Sequence, residues 1–253
     1  MEALSPEFYK SRIVSLDTEL EVGETFWIRG IPFYALLLRE PHKGEAVTVV
    51  DVKGREFRVR LLEITSEGAK AFVFEEQPPT EPPFELWLLQ ALPDKERMEF
   101  IIQKATELGV HVIIPFKSSR SISLEEREAK QPKAHRWPSI ILKAAKQCRR
   151  AFLPILVPYC SFEEAIKMVG ETFCKIMLYE KAKTRLREAI ANYQKPSKVA
   201  VMVGPEGGWS EEEVNKAMLR GFNPCSLGGR ILRTETASLV ACALVLFYWN
   251  GLG

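Results

Sequence analysis

Four prolines within six residues, Pro78, Pro79, Pro82 and Pro83, constrain this sequence more than any other feature. Proline lacks an N–H and fixes φ, so neither a helix nor a central strand can run through EEQPPTEPPF, residues 75–84. The segment reads as a stiff linker that divides the chain into residues 1–76, a linker over 77–84, and residues 85–253. Before it, AVTVVDV (46–52), EFRVRLLEI (56–64) and KAFVF (70–74) are alternating, β-branched runs separated by VKGRE and TSEGA turns, which predicts a small β-rich barrel. After it the pattern changes. ELWLLQAL (85–92), VHVIIPF (110–116), PILVP (154–158), CKIMLY (174–179), KVAVMVG (198–204) and NPCSLG (223–228) read as buried strands. Helical segments alternate with them at about 94–109, 133–149, 161–169, 183–193, 210–221 and 234–249. In the first, Asp94 is a cap, Met98, Ile101, Ile102, Ala105 and Leu108 form one stripe, and Gly109 is a stop. Such alternation predicts an α/β fold with a parallel sheet covered on both faces.

Several function classes drop out early. The longest apolar run, Ala237 to Trp249, falls short of the roughly 18–20 residues that span a bilayer. The opening segment MEALSPEFYK carries acids and a proline where an export signal would be basic and then apolar, which predicts a cytoplasmic protein. Five scattered cysteines with no C-x-x-C pair, and three scattered histidines, predict neither a disulfide framework nor a metal site. Charge is uneven. Residues 1–79 hold 10 Lys+Arg against 14 Asp+Glu, net −4, which leaves 25 against 19, net +6, for the remainder. Lys117 to Arg150 alone carries ten basic residues and three acids, a local field suited to a polyanion or, in the plainer reading, a solvated helix face.

Two segments have the form of a ligand site. In VMVGPEGGWSEEEV (201–214) a buried strand ends at Gly204, the chain turns through Pro205, Glu206, Gly207 and Gly208, and Ser210 with Glu213 makes a capping box that starts a helix. Ligands of open α/β sheets bind at the carboxyl ends of strands, where glycines let backbone approach closely. The segment is neither a dinucleotide fingerprint nor a P-loop, and an ordinary glycine turn remains the alternative. In SLGGRILRTETASLVACALVLFYW (226–249) two glycines end a short strand and Arg230 and Arg233 flank an apolar pair. Thr234 or Thr236 then caps a helix apolar nearly all round, which must be buried in the core or against a second subunit.

Taken together, DKERMEFIIQKATELGV (94–110), IIPFKSSRS (113–121), the RWxxIxxxAxxQ-like run from Arg136 to Gln147, VGPEGGWSEEEV (203–214) and SLGGRILRTETASL (226–239) resemble the RsmE family. Its members are bacterial 16S ribosomal RNA uridine-N3 methyltransferases of the SPOUT class. The resemblance implies a parallel sheet with a C-terminal trefoil knot, an exception to unknotted topology, preceded by a PUA-like RNA-binding barrel. It also implies a homodimer joined through the knotted domain, and S-adenosylmethionine (SAM) as cofactor. Mapped onto this chain, the cofactor loops are Leu178, Gly204, Pro205, Glu206, Gly207 and Gly208, and Leu227, Gly228, Ile231, Leu232 and Thr234. Glycines there would offer backbone groups to an adenine edge, while Leu178, Leu227, Ile231 and Leu232 sandwich its face.

Methyl transfer to a uridine N3 is an in-line displacement in which positioning supplies most of the catalysis, and the imide must lose a proton. The charged groups of the two glycine loops are the candidates: Arg233, then Arg230, to hold the base or its phosphate, and Glu206 or Glu235 as proton acceptor. Lys117, Arg120, Lys143, Lys146, Arg149, Arg150 and, more weakly, Arg39 are expected to contact 16S RNA, within the 30S subunit. A Rossmann-type oxidoreductase is a third rival to set against this reading, but the chain lacks its glycine fingerprint and acidic ribose partner; two rivals stand closer. One is a methyltransferase of the same fold acting on another RNA position; the other is a non-catalytic ribosome-assembly factor that keeps the fold.

Overall fold

A computed structural model describes residues 12–93, 97–126 and 134–252. Asp94, the expected cap, and the basic residues Arg127, Lys130 and Lys133 lie outside the described residues, as does the opening segment. The chain forms two compact units, one from residues up to Glu81 with Leu142–Leu153, the other from Pro82–Ile141 with Pro154 onward. The division falls inside the proline-rich segment. The inclusion of residues 142–153 in the first unit is invisible in the sequence.

In the first unit, β1 (Thr25–Ile28), β2 (Ala46–Val50), β3 (Glu56–Ile64) and β4 (Ala69–Gln77) form an antiparallel sheet in the order β1-β4-β3-β2. Alternation along these strands turns Val47, Val49, Phe57, Val59, Leu61, Ala69, Ala71 and Val73 into one core, as a half-buried sheet requires. A short helix, α1 (Gly30–Leu37), is not readable from periodicity, because it spans only two turns and both Ile31 and Tyr34 face solvent. Pro32 is tolerated there because the first turn of a helix has no carbonyl partner for its N–H.

Residues 142–153 add a polar network to this unit. The Arg39 guanidinium is buried and donates to the main-chain carbonyls of Arg12, Arg150 and Ala151. Burial pushes its pKa down to about 10, which leaves it charged at neutral pH. Arg150 forms a bidentate pair with Glu81, and Glu81 also accepts from the Phe152 N–H at 2.9 Å. Lys146 pairs with Glu45 at 2.9 Å.

The second unit carries the parallel sheet. Its strands are β5 (Glu85–Ala91), β6 (Val112–Lys117), β7 (Ile155–Leu156), β8 (Cys160–Ser161), β9 (Cys174–Leu178), β10 (Lys198–Val203) and β11 (Asn223–Cys225). They run in the order β11-β9-β10-β5-β6-β7, with β8 also pairing with β6. Every described pairing in this sheet is parallel. Helices α2 (Arg97–Leu108), α3 (Trp137–Gln147), α4 (Phe162–Met168), α5 (Leu186–Ala191), α6 (Glu211–Leu219) and α7 (Thr234–Tyr248) join them. β5 is buried at every position from Leu86 to Ala91, as expected of a strand covered on both faces.

Burial of α7 is one-sided. Ser238, Ala241, Cys242, Val245 and Leu246 are buried, but Leu244, Phe247 and Tyr248 are exposed, Phe247 at 70%. Only one face of this nearly all-apolar helix is covered within the chain. Beside it, Phe100, Lys104 and Leu108 of α2 and Leu239, Val240 and Ala243 of α7 line a shallow apolar groove. Among the described residues no helix is long and apolar enough to cross a membrane.

Candidate functional site

Because β11, β9 and β10 are adjacent and parallel, their carboxyl ends deliver three loops to one edge of the sheet, where ligands of such folds bind. The loops following Leu178, Val203 and Cys225 enclose a cavity of about 800 Å3, within the roughly 300–1,000 Å3 of small-molecule sites. All eleven positions expected to hold a cofactor line it: Leu178, Gly204, Pro205, Glu206, Gly207, Gly208, Leu227, Gly228, Ile231, Leu232 and Thr234. Arg230 and Arg233 line it as well, both exposed, whereas Glu235 does not. Among the lining residues, Ile231 is 85% exposed.

Each loop is held by a specific contact. Ser210 and Glu213 form the expected capping box, Ser210 Oγ accepting from the Glu213 N–H and the Glu213 carboxylate from the Ser210 N–H. Glu213 also accepts from the backbone N–H and hydroxyl of Ser119, each at 2.8 Å. Burial pushes this carboxyl up, but the Ser210 and Ser119 hydrogen bonds outweigh it and hold the pKa below the ordinary value.

Trp209 is a site residue that no sequence motif singles out by role. Its indole lies stacked near Phe116, with centroids 6.2 Å apart, and its N–H donates to the Leu178 carbonyl at 2.7 Å, tying two loops together. A Cβ on Gly204 would stand 2.9 Å from that indole, so glycine there answers to close approach. Gly228, at φ +115°, answers instead to backbone conformation. Gly207 rests on Arg120, whose guanidinium donates to the Gly207 carbonyl at 3.2 Å.

The opening of α7 also departs from expectation. The N-cap is Arg233, with no side-chain capping bond, and Thr234 is the first helical residue. The Thr234 hydroxyl donates to the Gly204 carbonyl at 2.7 Å, joining the second and third loops. Neither carboxylate proposed as a base stands alone. Arg97, at the start of α2, donates to Glu206 and lies 3.7 Å from Glu235. Tyr179, Glu180, Lys181 and Ser226 also line the cavity; no spacing rule singles them out. Cys225 lines the cavity too, but burial pushes its thiol up to about 12, so it is not a thiolate nucleophile at neutral pH.

The expected RNA contacts divide between the two units. Lys117 and Arg120 belong to the second, and Lys117 Nζ donates to the Ser121 carbonyl. Lys143, Lys146, Arg149, Arg150 and Arg39 belong to the first. Of these, Lys143 is exposed, Lys146 is bound to Glu45, and the exposed Arg149 lies 3.9 Å from Glu75. Arg39 and Arg150 correct the expectation. Each is 3% exposed, and their guanidiniums are spent on carbonyls and Glu81, so neither presents a charge to a phosphate.

Residues 80–246 match the RNA methyltransferase domain family. Ribosomal RNA small subunit methyltransferase E of Bacillus subtilis is 29% identical over 237 residues, covering 90% of this chain and 92% of that protein. The protein of the same name from Aquifex aeolicus is 31% identical over 228 residues, covering 82% and 96%. A solved ribosomal RNA small subunit methyltransferase E from Neisseria gonorrhoeae, bound to S-adenosyl methionine, superposes with a TM-score of 0.67 at 32% identity, over 93% of this chain and 96% of that one. The chain belongs to the ribosomal RNA small subunit methyltransferase E family.

Proposed function

We propose that this protein is a SAM-dependent methyltransferase of small-subunit ribosomal RNA that modifies N3 of a uridine in 16S RNA. The observation that carries the reading is the cavity at the ends of β9, β10 and β11, lined by the two glycine-rich loops on which the sequence resemblance rests. The residues suit SAM. Gly228 and Gly229 have open space where a side chain would stand, Leu178, Leu227 and Leu232 offer apolar faces, and Glu180 and Glu206 offer carboxylates to a cationic ligand.

The cofactor, when bound, supplies an electrophilic methyl group on a sulfonium. The chain's own part is to orient and to manage charge. Backbone groups of Gly204 to Gly208 and Leu227 to Gly229 would fix the ligand's position, and the gain comes from prepaid orientation. Arg233, with no ion-pair partner among the described residues, would stabilise the anion that develops as the uracil imide loses its proton, and Arg230 would hold the adjoining phosphate. Glu206 is preferred to Glu235 as proton acceptor because only Glu206 lines the cavity.

The finer features of the reading belong to the same proposal: a trefoil-knotted C-terminal segment, a PUA-like first unit, cytoplasmic action on the 30S subunit, and a homodimer. The uncovered face of α7 supports the last. Labelled methyl transfer to 30S subunits lacking the modification tests the whole, with the product nucleotide mapped. Transfer to N3 of a 16S uridine, lost in Arg233→Ala at saturating SAM and RNA, is the expected result. Full turnover by Arg233→Ala would remove its assigned role, transfer to another nucleotide would reassign the target, and no transfer would favour the assembly-factor reading.

A further inference from the structure

One polar side chain interrupts the buried run Leu86–Ala91 of β5. Gln90 is fully buried and lines no part of the cavity. Its amide nitrogen donates to the Ala91 carbonyl at 2.9 Å and to the Thr234 hydroxyl at 3.1 Å. The Thr234 hydroxyl in turn donates to the Gly204 carbonyl at 2.7 Å. Ser238 Oγ stands within hydrogen-bonding distance of the Gln90 amide oxygen.

The direction of this chain is fixed at both ends. The Ala91 carbonyl only accepts, so the group facing it must be the amide NH2 and the amide cannot be flipped. The second N–H then points at Thr234, whose oxygen accepts and whose single proton is left for Gly204, again an acceptor only. Gln90 thereby sets the Thr234 rotamer, and Thr234 sets where the second cavity loop leaves β10 relative to the third. Buried amides are costly unless satisfied, and a satisfied network specifies one arrangement.

We propose that Gln90 is a positioning residue of the cofactor site, acting through Thr234 to lock the Gly204 loop in its ligand-binding geometry. The proposal rests on the cofactor reading above for its functional consequence, but not for its structural one. Three variants separate it from a general role in packing: Gln90→Met, close in shape without the amide; Thr234→Val, close in shape without the hydroxyl; and Thr234→Ser, which keeps the hydroxyl.

Two readouts are taken on the full chain. Hydrogen exchange at the amides of Gly204, Glu206, Gly207 and Gly208 is measured without ligand, and the SAM dissociation constant is measured by calorimetry. Gln90→Met and Thr234→Val are each expected to speed loop exchange and weaken SAM binding by about tenfold, the scale of one lost hydrogen bond. Thr234→Ser should restore parental values, and Gln90→Met/Thr234→Val should be no worse than the worse single variant, because both cut one chain. In turnover assays of Gln90→Met, whose site lies outside the cavity lining, KM for SAM should rise while kcat holds. Loop exchange and SAM affinity unchanged in Gln90→Met and Thr234→Val, or Thr234→Ser no better than Thr234→Val, would overturn the proposal. Failure of the parent to bind SAM would remove the cofactor reading, and loop exchange would then decide the positioning claim by itself.

Discussion

Glycines 204 and 229 line the same cavity, yet the structure assigns them opposite tolerances to a methyl group. At Gly204 an added Cβ meets the Trp209 ring at 2.9, 3.1 and 3.3 Å, well inside the roughly 3.5–4.0 Å optimum for carbon contacts. The ring cannot swing away cheaply. It is buried, faced by Phe116 and Phe162, and bound through its N–H to the Leu178 carbonyl. Overpacking of this kind costs about 1–3 kcal/mol, and straining the indole hydrogen bond adds ~1 kcal/mol, so Gly204→Ala should destabilise the second unit by about 2–4 kcal/mol. At Gly229 nothing lies within 4 Å of the position a methyl group would take, and φ is ordinary, so Gly229→Ala should fold within about 0.5 kcal/mol of the parent. Denaturant unfolding followed by Trp fluorescence measures both, with calorimetric SAM binding as a second readout. Equal stabilities for the two variants would refute the packing argument. So would a Gly204→Ala protein that unfolds with the parental midpoint.

Four further outcomes follow from the structure. Arg150→Ala leaves Glu81 without its bidentate partner in a site where the arginine side chain is 2% exposed, so unfolding should show a loss of about 3–5 kcal/mol. The salt dependence of RNA binding should keep its slope in that variant, whereas Lys143→Ala should reduce the log–log slope by about 0.7–0.9 if Lys143 neutralises one phosphate. Glu213 has a carboxyl pKa lowered in the folded state, so it contributes stability that is present above the unfolded-state pKa and lost as pH falls through the lower, folded value. Glu213→Gln should therefore be less stable than the parent at pH 7, with the gap closing as the pH is taken below the ordinary carboxylate range, and a gap constant with pH would refute the assignment. If the homodimer proposed above forms through α7, Phe247→Glu on its uncovered face should convert that dimer to monomers in sedimentation analysis while leaving the chain folded; a parent that sediments as a monomer would remove the proposal, and a variant that stays dimeric would remove α7 from the contact.

Much of this architecture is legible in the sequence because it is set by short-range physics. Proline placement marks the break, period-two alternation β2, β3 and β4 of the first unit but not β1, which is only four residues long, and continuous apolar runs the buried strands of the second. The two glycine loops announce themselves because close backbone approach excludes side chains, and the Ser210–Glu213 box is a local bond pattern. Whether a charge is solvated or buried is a different matter, since Arg39 and Arg150 read along the chain like Lys143. Only the packing of residues 142–153 against the first sheet spends the two arginines on carbonyls and Glu81. The strand order that sets β10 between β9 and β5 is likewise decided by long-range pairing, which no local pattern encodes. It is that order which brings Gln90, Thr234 and Gly204 into one hydrogen-bonded line. The residues at the site are thus written in two loops of sequence, but the contacts that hold those loops, from Gln90, Arg97 and Trp209, exist only because distant segments pack together and must satisfy every buried polar group.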